Sequence, residues 1–140
     1  MKLILAPLAA AILLTSGPAL AKPLSPAEIV KRHEAFGAKG DYKSMAGDYA
    51  ENAVVLQPGT VVSGRKAIAD LLNGLLGPKA KTPLKIDVVQ IWQKGDVGFV
   101  TWTTNGGKVK GTDSFLVRGG KIQVQAVWVG QLPPGPPAKS

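Results

Sequence analysis

Cysteine is absent from the 140-residue chain, histidine occurs once, and acidic residues are outnumbered by basic ones. Without cysteine the protein cannot form disulfides, use a catalytic thiolate, or bind zinc or iron–sulfur clusters through sulfur. A single histidine excludes sites built from several imidazoles, and the spacing of the acids indicates no carboxylate metal site. We therefore expect no metal and no cofactor. A hydrophobic fraction of 45% with 19% charged residues is typical of one folded domain.

The charge balance is basic, with 17 Lys and Arg against 9 Asp and Glu, which gives a net charge of +8 at pH 7. Such an excess can indicate a polyanionic partner. Here the basic residues are scattered along the chain, and no run of them is interleaved with aromatic side chains. We interpret them as a solvated surface and expect no nucleic-acid partner.

Residues 1–21 have the layout of a secretory signal peptide. A positive start at Lys2 precedes the apolar run Leu3–Leu14, and a small-x-small triplet ends at Ala21. The alternative is a transmembrane anchor, but Pro7 and a later glycine-proline pair interrupt the segment, and a span needs about 20 continuous apolar residues. We predict cleavage after Ala21, a periplasmic or secreted protein, and no membrane span in the mature chain.

The first helix is predicted to begin after Ser25, which fits the N-cap, with Pro26 in the first turn and Glu28 completing a capping box. The residues that recur at helical spacing predict its inward side: Ile29, Val30, His33, Phe36 and Gly37. The charged residues are predicted on the solvent side: Lys31, Arg32, Glu34 and Lys39.

Two more helices are predicted before the long strands. Asp41 fits the N-cap of a short helix, whose predicted inner side consists of Tyr42, Met45 and Tyr49. A second helix follows Ser63, and its apolar residues form an amphipathic stripe made of Ile68, Leu71, Leu72, Leu75 and Leu76. Glycine-proline after this stripe predicts its end.

The strand pattern predicts an α+β fold, with a cone-like, curved, mostly antiparallel sheet wrapped around three N-terminal helices. Two short strands, Ala53 to Gln57 and Thr60 to Val62, precede the third helix. Four long strands follow it, with glycine-containing turns that make neighbours antiparallel: Leu84 to Gln93, Val97 to Thr104, Lys108 to Arg118, and Lys121 to Val129. Residues 22–130 form one unit, and the proline-rich residues 131–140 are expected to be an extended, flexible tail.

The order of these patterns resembles the SnoaL-like, or nuclear transport factor 2-like, superfamily. Four segments of this chain are similar to the first half of the superfamily's domain: Ile29-Val30, Gly40-Asp41, Tyr49–Val54 and Gly64–Ile68. The segment Gly111–Ile122 is similar to a hairpin in the second half of that domain. The resemblance implies a cone-shaped barrel related to the ketosteroid isomerases, a pocket between helices and sheet, and a homodimer. It does not identify a function, because this superfamily includes isomerases, dehydratases, cyclases and non-catalytic binders.

His33 and Asp113 are the candidate catalytic residues. His33 lies on the apolar side of the first helix, and imidazole suits proton transfer near neutral pH. Asp113 shares a strand face with Phe115 and Val117, and an inward carboxyl must be paired, hydrogen-bonded or protonated. One hypothesis is a pair in which Asp113 orients the His33 imidazole. The alternative is structural, with His33 in the core and Asp113 bonded to it or to backbone. The other acids, including Asp48, are interpreted as salt-bridge or capping residues.

The resemblance implies roles for particular positions. In the related steroid isomerases, an Asp at the position of Asp113 is protonated and donates a hydrogen bond to the substrate oxyanion. Their catalytic Asp stands immediately before a proline, where this chain has Gln57, and their helix Tyr is replaced by His33. An amide cannot accept a proton at neutral pH, so the same mechanism is disfavoured. Gln57 can still bind a ligand carbonyl or hydroxyl.

The predicted ligand contacts otherwise come from the strands. Alternation places Trp128 and Val124 on one face with Ile122, with Gln125 facing the other way. Together with Gln57, the predicted ligand-binding set is Trp102, Trp128, Phe115, Val100 and Val124. An ordinary core role is the alternative for each.

The outer sheet face carries Trp92, which with Phe99 and Val127 could form the dimer contact.

Three functions are compatible with the sequence. The first is a module that binds a small apolar molecule, the second is an isomerase, lyase or hydrolase that uses the His33–Asp113 pair, and the third is an assembly role without a ligand.

Overall fold

The computed structural model describes residues 22–78, 80–81 and 85–130; the predicted signal peptide and the proline-rich tail lie outside these residues. Within the described residues the helices are α1 (Pro26–Ala38), α2 (Tyr42–Gly47) and α3 (Arg65–Leu76). The strands are β1 (Tyr49–Gln57), β2 (Thr60–Ser63), β3 (Ile86–Lys94), β4 (Val97–Thr104), β5 (Val109–Arg118) and β6 (Lys121–Val129).

The start of α1 follows from its capping residues. The Ser25 hydroxyl accepts a hydrogen bond from the Glu28 backbone N–H, and the Glu28 carboxylate accepts one from the Ser25 N–H at 2.8 Å. Pro26 occupies the first turn, where no amide donor is needed. Gly40, two residues beyond the helix, takes a left-handed conformation with φ of 67°. The predicted capping box is therefore confirmed.

The six strands form one sheet in the order β2-β1-β6-β5-β4-β3. Strands β3 to β6 form an antiparallel meander, whereas β1 pairs parallel with β6. α1 packs against β3, β4 and β5, and α3 packs against β1, β2 and α2, so all the helices lie on one side of the sheet, its inner face. The predicted α+β fold with a mostly antiparallel curved sheet is confirmed.

β1 is longer than predicted because it begins at Tyr49. Tyr49 pairs with Ile122 at the start of β6 instead of continuing α2, and its side chain is fully buried. The third helix begins one residue later than predicted, since Ser63 remains in β2 and Gly64 is the N-cap with φ of 88°. Side chains other than glycine rarely adopt this conformation.

The pairing of β5 with β6 shifts by one residue, which reverses the predicted faces of β6. Val117 pairs with Ile122 but Leu116 pairs with Val124, so Gln123 is an extra, bulged residue. Beyond the bulge, Gln125 and the later odd-numbered residues face inward. The prediction that Val124 and Trp128 share the inner face with Ile122 was therefore wrong, and so was the placement of Val127 on the outer face.

α1 packs directly on β4 because Gly98 lacks a side chain. A Cβ at Gly98 would lie 2.8 Å from Cγ2 of Val30. Val100 in β4 and Phe115 in β5 are fully buried in the core.

We expect Gly98→Ala to destabilise the protein by about 1–3 kcal/mol, since an added methyl in a close-packed interface must displace its neighbours. The matched control is Gly74→Ala, in the middle of α3 with no atom near the new methyl, which should stabilise by about 0.5–1 kcal/mol. Urea unfolding of both variants measures the difference. Equal free energies of unfolding for Gly98→Ala and the wild type would contradict this packing.

Candidate functional site

A cavity of about 200 Å³ lies between α3 and the inner face of the sheet. Most of its lining is apolar and comes from Met45, Val55, Ile68, Leu71, Leu72, Leu75, Leu76, Ile86, Trp102, Val127 and Val129. The polar lining consists of Glu34, Tyr49, Gln57, Asp113 and Gln125. An apolar pocket with a few convergent polar groups is the usual form of a small-molecule site.

A larger and more open hollow of about 620 Å³ lies over the β4, β5 and β6 strands. Its lining includes Trp128 with threonines such as Thr101 and Thr112, together with two lysines. None of its described lining residues is acidic or a histidine. The carboxyl groups therefore converge only in the inner cavity among the described residues, and we take that cavity as the candidate site.

Asp113 is held in the inner cavity by two hydrogen bonds. The residue is 7% exposed, and its Oδ1 accepts from the Trp102 indole N–H at 3.0 Å while its Oδ2 accepts from the Gln125 amide at 2.7 Å. Burial raises the pKa of Asp113, while these two hydrogen bonds and the nearby His33 lower it; the net shift is upward. Asp113 is thus a carboxyl group that retains its proton more readily than an exposed one.

Gly111 allows the indole of Trp102 to reach Asp113. The two residues face each other across β4 and β5, and a Cβ at Gly111 would lie 2.1 Å from the Trp102 ring. A glycine at this position therefore leaves the space that the ring occupies.

A chain of polar contacts continues from Asp113 toward the surface. The Tyr49 hydroxyl donates to Oε1 of Gln125, and Nε2 of His33 lies 3.3 Å from the Tyr49 hydroxyl. On its other side, Nδ1 of His33 lies 3.4 Å from Oδ2 of Asp48, although no hydrogen bond with a described residue satisfies either atom. Oδ1 of Asp48 accepts from the half-exposed Arg32, so Asp48 has the predicted salt-bridge role.

The structure does not bring His33 and Asp113 into direct contact. His33 is fully buried, packs edge-on against Tyr49 and Phe115, and is absent from the cavity lining. Tyr49 and Gln125 lie between the imidazole and the Asp113 carboxyl. His33 can therefore influence Asp113 through this chain and through its charge, but it does not face a ligand in the cavity.

Glu34 lies in the cavity, contrary to the prediction that it faces solvent. It follows Val30 by one helical turn on the side of α1 that packs on the sheet, and the residue is 7% exposed. Burial, and next the nearby Asp113, raise its pKa from 4.5 to about 8. Glu34 forms no ion pair with any described residue.

Among the predicted ligand contacts, Gln57 and Trp102 line the cavity. Val100 and Phe115 are fully buried core residues outside its lining. Val124 and Trp128 lie on the outer face of the sheet because of the bulge, and Trp128 lines the outer hollow instead.

The sequence reasoning missed Glu34, Tyr49 and Gln125 as cavity residues. A usable signal for Glu34 was its spacing of four from the buried Val30.

In the described part of the chain, no group of three or more His, Asp and Glu side chains could hold a metal ion. Nor is any described helix long and apolar enough to span a bilayer.

The raised pKa of Glu34 predicts that stability falls with pH. The unfolded state releases the Glu34 proton above about pH 4.5 while the folded state keeps it until about pH 8, so the folded state binds more protons in this range. The free energy of unfolding should therefore decrease by at most ~1.4 kcal/mol per pH unit across it.

Glu34→Gln should remove most of this slope and exceed the wild type in stability at the alkaline end. Glu51→Gln is the control, because the Glu51 side chain is 82% exposed. Urea unfolding between about pH 5 and about pH 9 tests this. If the free energy of unfolding of Glu34→Gln still falls with pH as in the wild type, a group other than Glu34 causes the pH dependence.

Comparison with known proteins agrees with this architecture. The family described as SnoaL-like domain matches residues 30–125. No curated relative matches the sequence.

Solved structures are similar in fold. An NTF2-like protein of unknown function from Cytophaga hutchinsonii is 12% identical with a TM-score of 0.66, covering 79% of this chain and 95% of its own. SalBIII, an epoxide hydrolase/cyclase-like enzyme in salinomycin pyran ring formation, is 24% identical with a TM-score of 0.60. The match covers 74% of this chain and 88% of SalBIII. A Catenulispora acidiphila protein with a ketosteroid isomerase-like fold, in complex with trimethylamine, is 14% identical with a TM-score of 0.59. The match covers 75% of this chain and 86% of that protein. The chain belongs to the SnoaL-like domain family.

Proposed function

We propose that the domain binds a small, mostly apolar molecule in the inner cavity and holds one polar group of that molecule with the cavity's carboxyl and amide side chains. The observation that carries this proposal is the convergence of Glu34, Asp113 and Gln57 on a cavity lined mostly by apolar residues. Burying two carboxyl groups costs stability, so their presence favours a role in recognition.

The structural relatives support a small-molecule role without identifying the ligand. One of them is an epoxide hydrolase/cyclase-like enzyme, and another is in complex with trimethylamine. Both are less than 25% identical to this chain, so the groups that line this cavity, and not the relatives' ligands, determine what it binds.

Catalysis as an isomerase, lyase or hydrolase is the second candidate, and the paired carboxyl groups favour it. A carboxyl whose pKa is raised to about 8, as that of Glu34 is, can accept or donate a proton near neutral pH. In this version Glu34 and Asp113 contact the substrate, and His33 is a positioning residue acting through Tyr49 and Gln125.

The cavity proposal predicts that native mass spectrometry of the untagged protein shows a discrete extra mass from a retained small molecule. Leu75→Trp, at the partly exposed wall of the cavity, should abolish that mass by filling the space. Leu24→Trp, at an exposed position before α1 and outside the cavity lining, is the matched control and should retain it. An extra mass that survives Leu75→Trp would place the ligand elsewhere, and a wild type free of ligand would contradict a tight-binding carrier.

We also propose that the protein is exported to the periplasm or secreted, on the basis of the signal-peptide layout of residues 1–21. The same mass measurement on protein from the extracytoplasmic fraction should give a chain that begins at Lys22. A mass that includes residues 1–21 would contradict cleavage.

We further propose a homodimer through the outer face of the sheet. The strand register aligns one row across all six strands of the described sheet, running through Trp92, Phe99, Ser114, Ala126, Leu56 and Val61. Most of this row is apolar, Trp92 is 42% exposed, and its ring lies 5.4 Å from that of Phe99. An apolar row of this length favours a protein contact.

Trp92→Glu should therefore convert the dimer to a monomer, because it buries an unpaired charge in the contact. Leu24→Glu, at an exposed position before α1, should leave the mass unchanged. Light scattering after size exclusion measures both, and a monomeric wild type would contradict the proposal.

A further inference from the structure

We propose that the ligand of the inner cavity is a small cationic amine with apolar substituents, and that its ammonium group pairs with Glu34 and Asp113 in place of the proton the two carboxyl groups otherwise hold. This inference rests on the proposed binding function and specifies its ligand class. It is carried by the charges and hydrogen-bonding groups that face the cavity.

The two carboxyl groups reach the cavity from different elements, Glu34 from α1 and Asp113 from β5. Both residues are more than nine-tenths buried, and the charge of Asp113 acts on Glu34. Two ionised carboxylates in an apolar space repel each other and lack solvation, so the pair retains a proton unless another positive charge replaces it.

The described part of the chain supplies no such charge, since no lysine, arginine or histidine lines the cavity. Arg32 and His33 lie outside the cavity lining and against Asp48, with His33 next to the Tyr49 hydroxyl. The other elements around the cavity present uncharged side chains: α2, α3, β3, β4 and β6 contribute only apolar residues and Gln125. The titratable group that acts on Glu34 is thus Asp113. Glu34 and Asp48 act in turn on Tyr49, and His33 acts on Asp113.

The hydrogen-bond donors of the cavity are largely occupied. The Trp102 indole N–H and the Gln125 amide donate to Asp113, and the Tyr49 hydroxyl donates to Gln125. The carboxyl oxygens of Glu34 and the remaining lone pairs of Asp113 are acceptors, and the Gln57 amide also lines the cavity. An N–H donor that carries a positive charge complements these acceptors, and its hydrogen bonds to a carboxylate are the strong, charge-assisted kind.

The apolar residues of the cavity determine which substituents the nitrogen of the ligand can carry. Ile68, Leu72 and Leu76 from α3 line the same cavity of about 200 Å³ as the two carboxyl groups. Hydrocarbon substituents on the nitrogen would lie against this wall, which disfavours strongly hydrated polyamines.

Binding is balanced by the release of one proton. The protonated amine enters, the Glu34 carboxyl gives its proton to solvent, and the resulting carboxylate accepts a hydrogen bond from the ammonium N–H. Since the pKa of Glu34 is raised to about 8, this release is required below that pH. Affinity should therefore rise with pH toward about 8, by at most ~10-fold per pH unit.

A matched pair of probes tests the inference: N,N-dimethylcyclohexylamine and its ketone counterpart, cyclohexyl methyl ketone. Isothermal titration calorimetry should show the amine binding at least ~10-fold more tightly than the ketone. Titrations in buffers of different ionisation enthalpy should show release of about one proton per amine near neutral pH.

Glu34→Gln should weaken amine binding by at least ~10-fold and abolish proton release, since the replaced group carries the proton. Glu51→Gln, an exposed carboxyl elsewhere, should leave both unchanged. Urea unfolding of Glu34→Gln verifies that the variant is folded.

Two results overturn the inference in distinguishable ways. If the ketone binds as tightly as the amine, or if affinity falls as pH rises, the cavity is a small-molecule site but the amine class is wrong. If the amine, the ketone and cyclohexanecarboxylate all fail to bind the folded wild type, the cavity itself is not the binding site.

Discussion

The pairing of β5 with β6 slips by one residue at Gln123, and the side chains beyond that point exchange faces. The exchange brings the Gln125 amide to the inner face, where it contacts Asp113 on one side and Tyr49 on the other. With an uninterrupted strand the amide would face outward, and Trp128 would occupy the inner face. The contribution of Gln125 to the polar lining of the cavity depends on this single extra residue, as does the position of Trp128 on the outer face.

The ionisable side chains around the cavity fall into two groups that differ in charge balance. Arg32 and Asp48 have opposite charges and form an ion pair, with His33 beside Asp48. Glu34 and Asp113 carry one sign only, and both have pKa values shifted toward the protonated form. Tyr49 separates the two groups and touches the first through His33. A compensated cluster supports the fold, whereas an uncompensated pair is an open site for a ligand charge or a proton.

Much of the fold could be predicted because it follows from local rules. The capping box at Ser25, the leucine stripe of α3 and the glycine turns between strands each depend on residues close in sequence. The cavity could be predicted only in part. Trp102 and Asp113 follow from strand alternation and Gln57 from the family resemblance, but the bulge breaks the alternation within β6. Glu34 was misplaced because its neighbours are charged, and only the packing of α1 on the sheet shows that this turn of the helix faces inward.

The parallel pairing of β1 with β6 places the first strand of the domain beside the last. Tyr49 and Ile122, which pair across these strands, are separated by more than half of the chain, so the sheet has a high contact order. During synthesis, β1 has only the short strand β2 as a partner until β6 becomes available. The parallel β1–β6 pair therefore closes late, and the N-terminal half cannot complete its core before the whole domain is present.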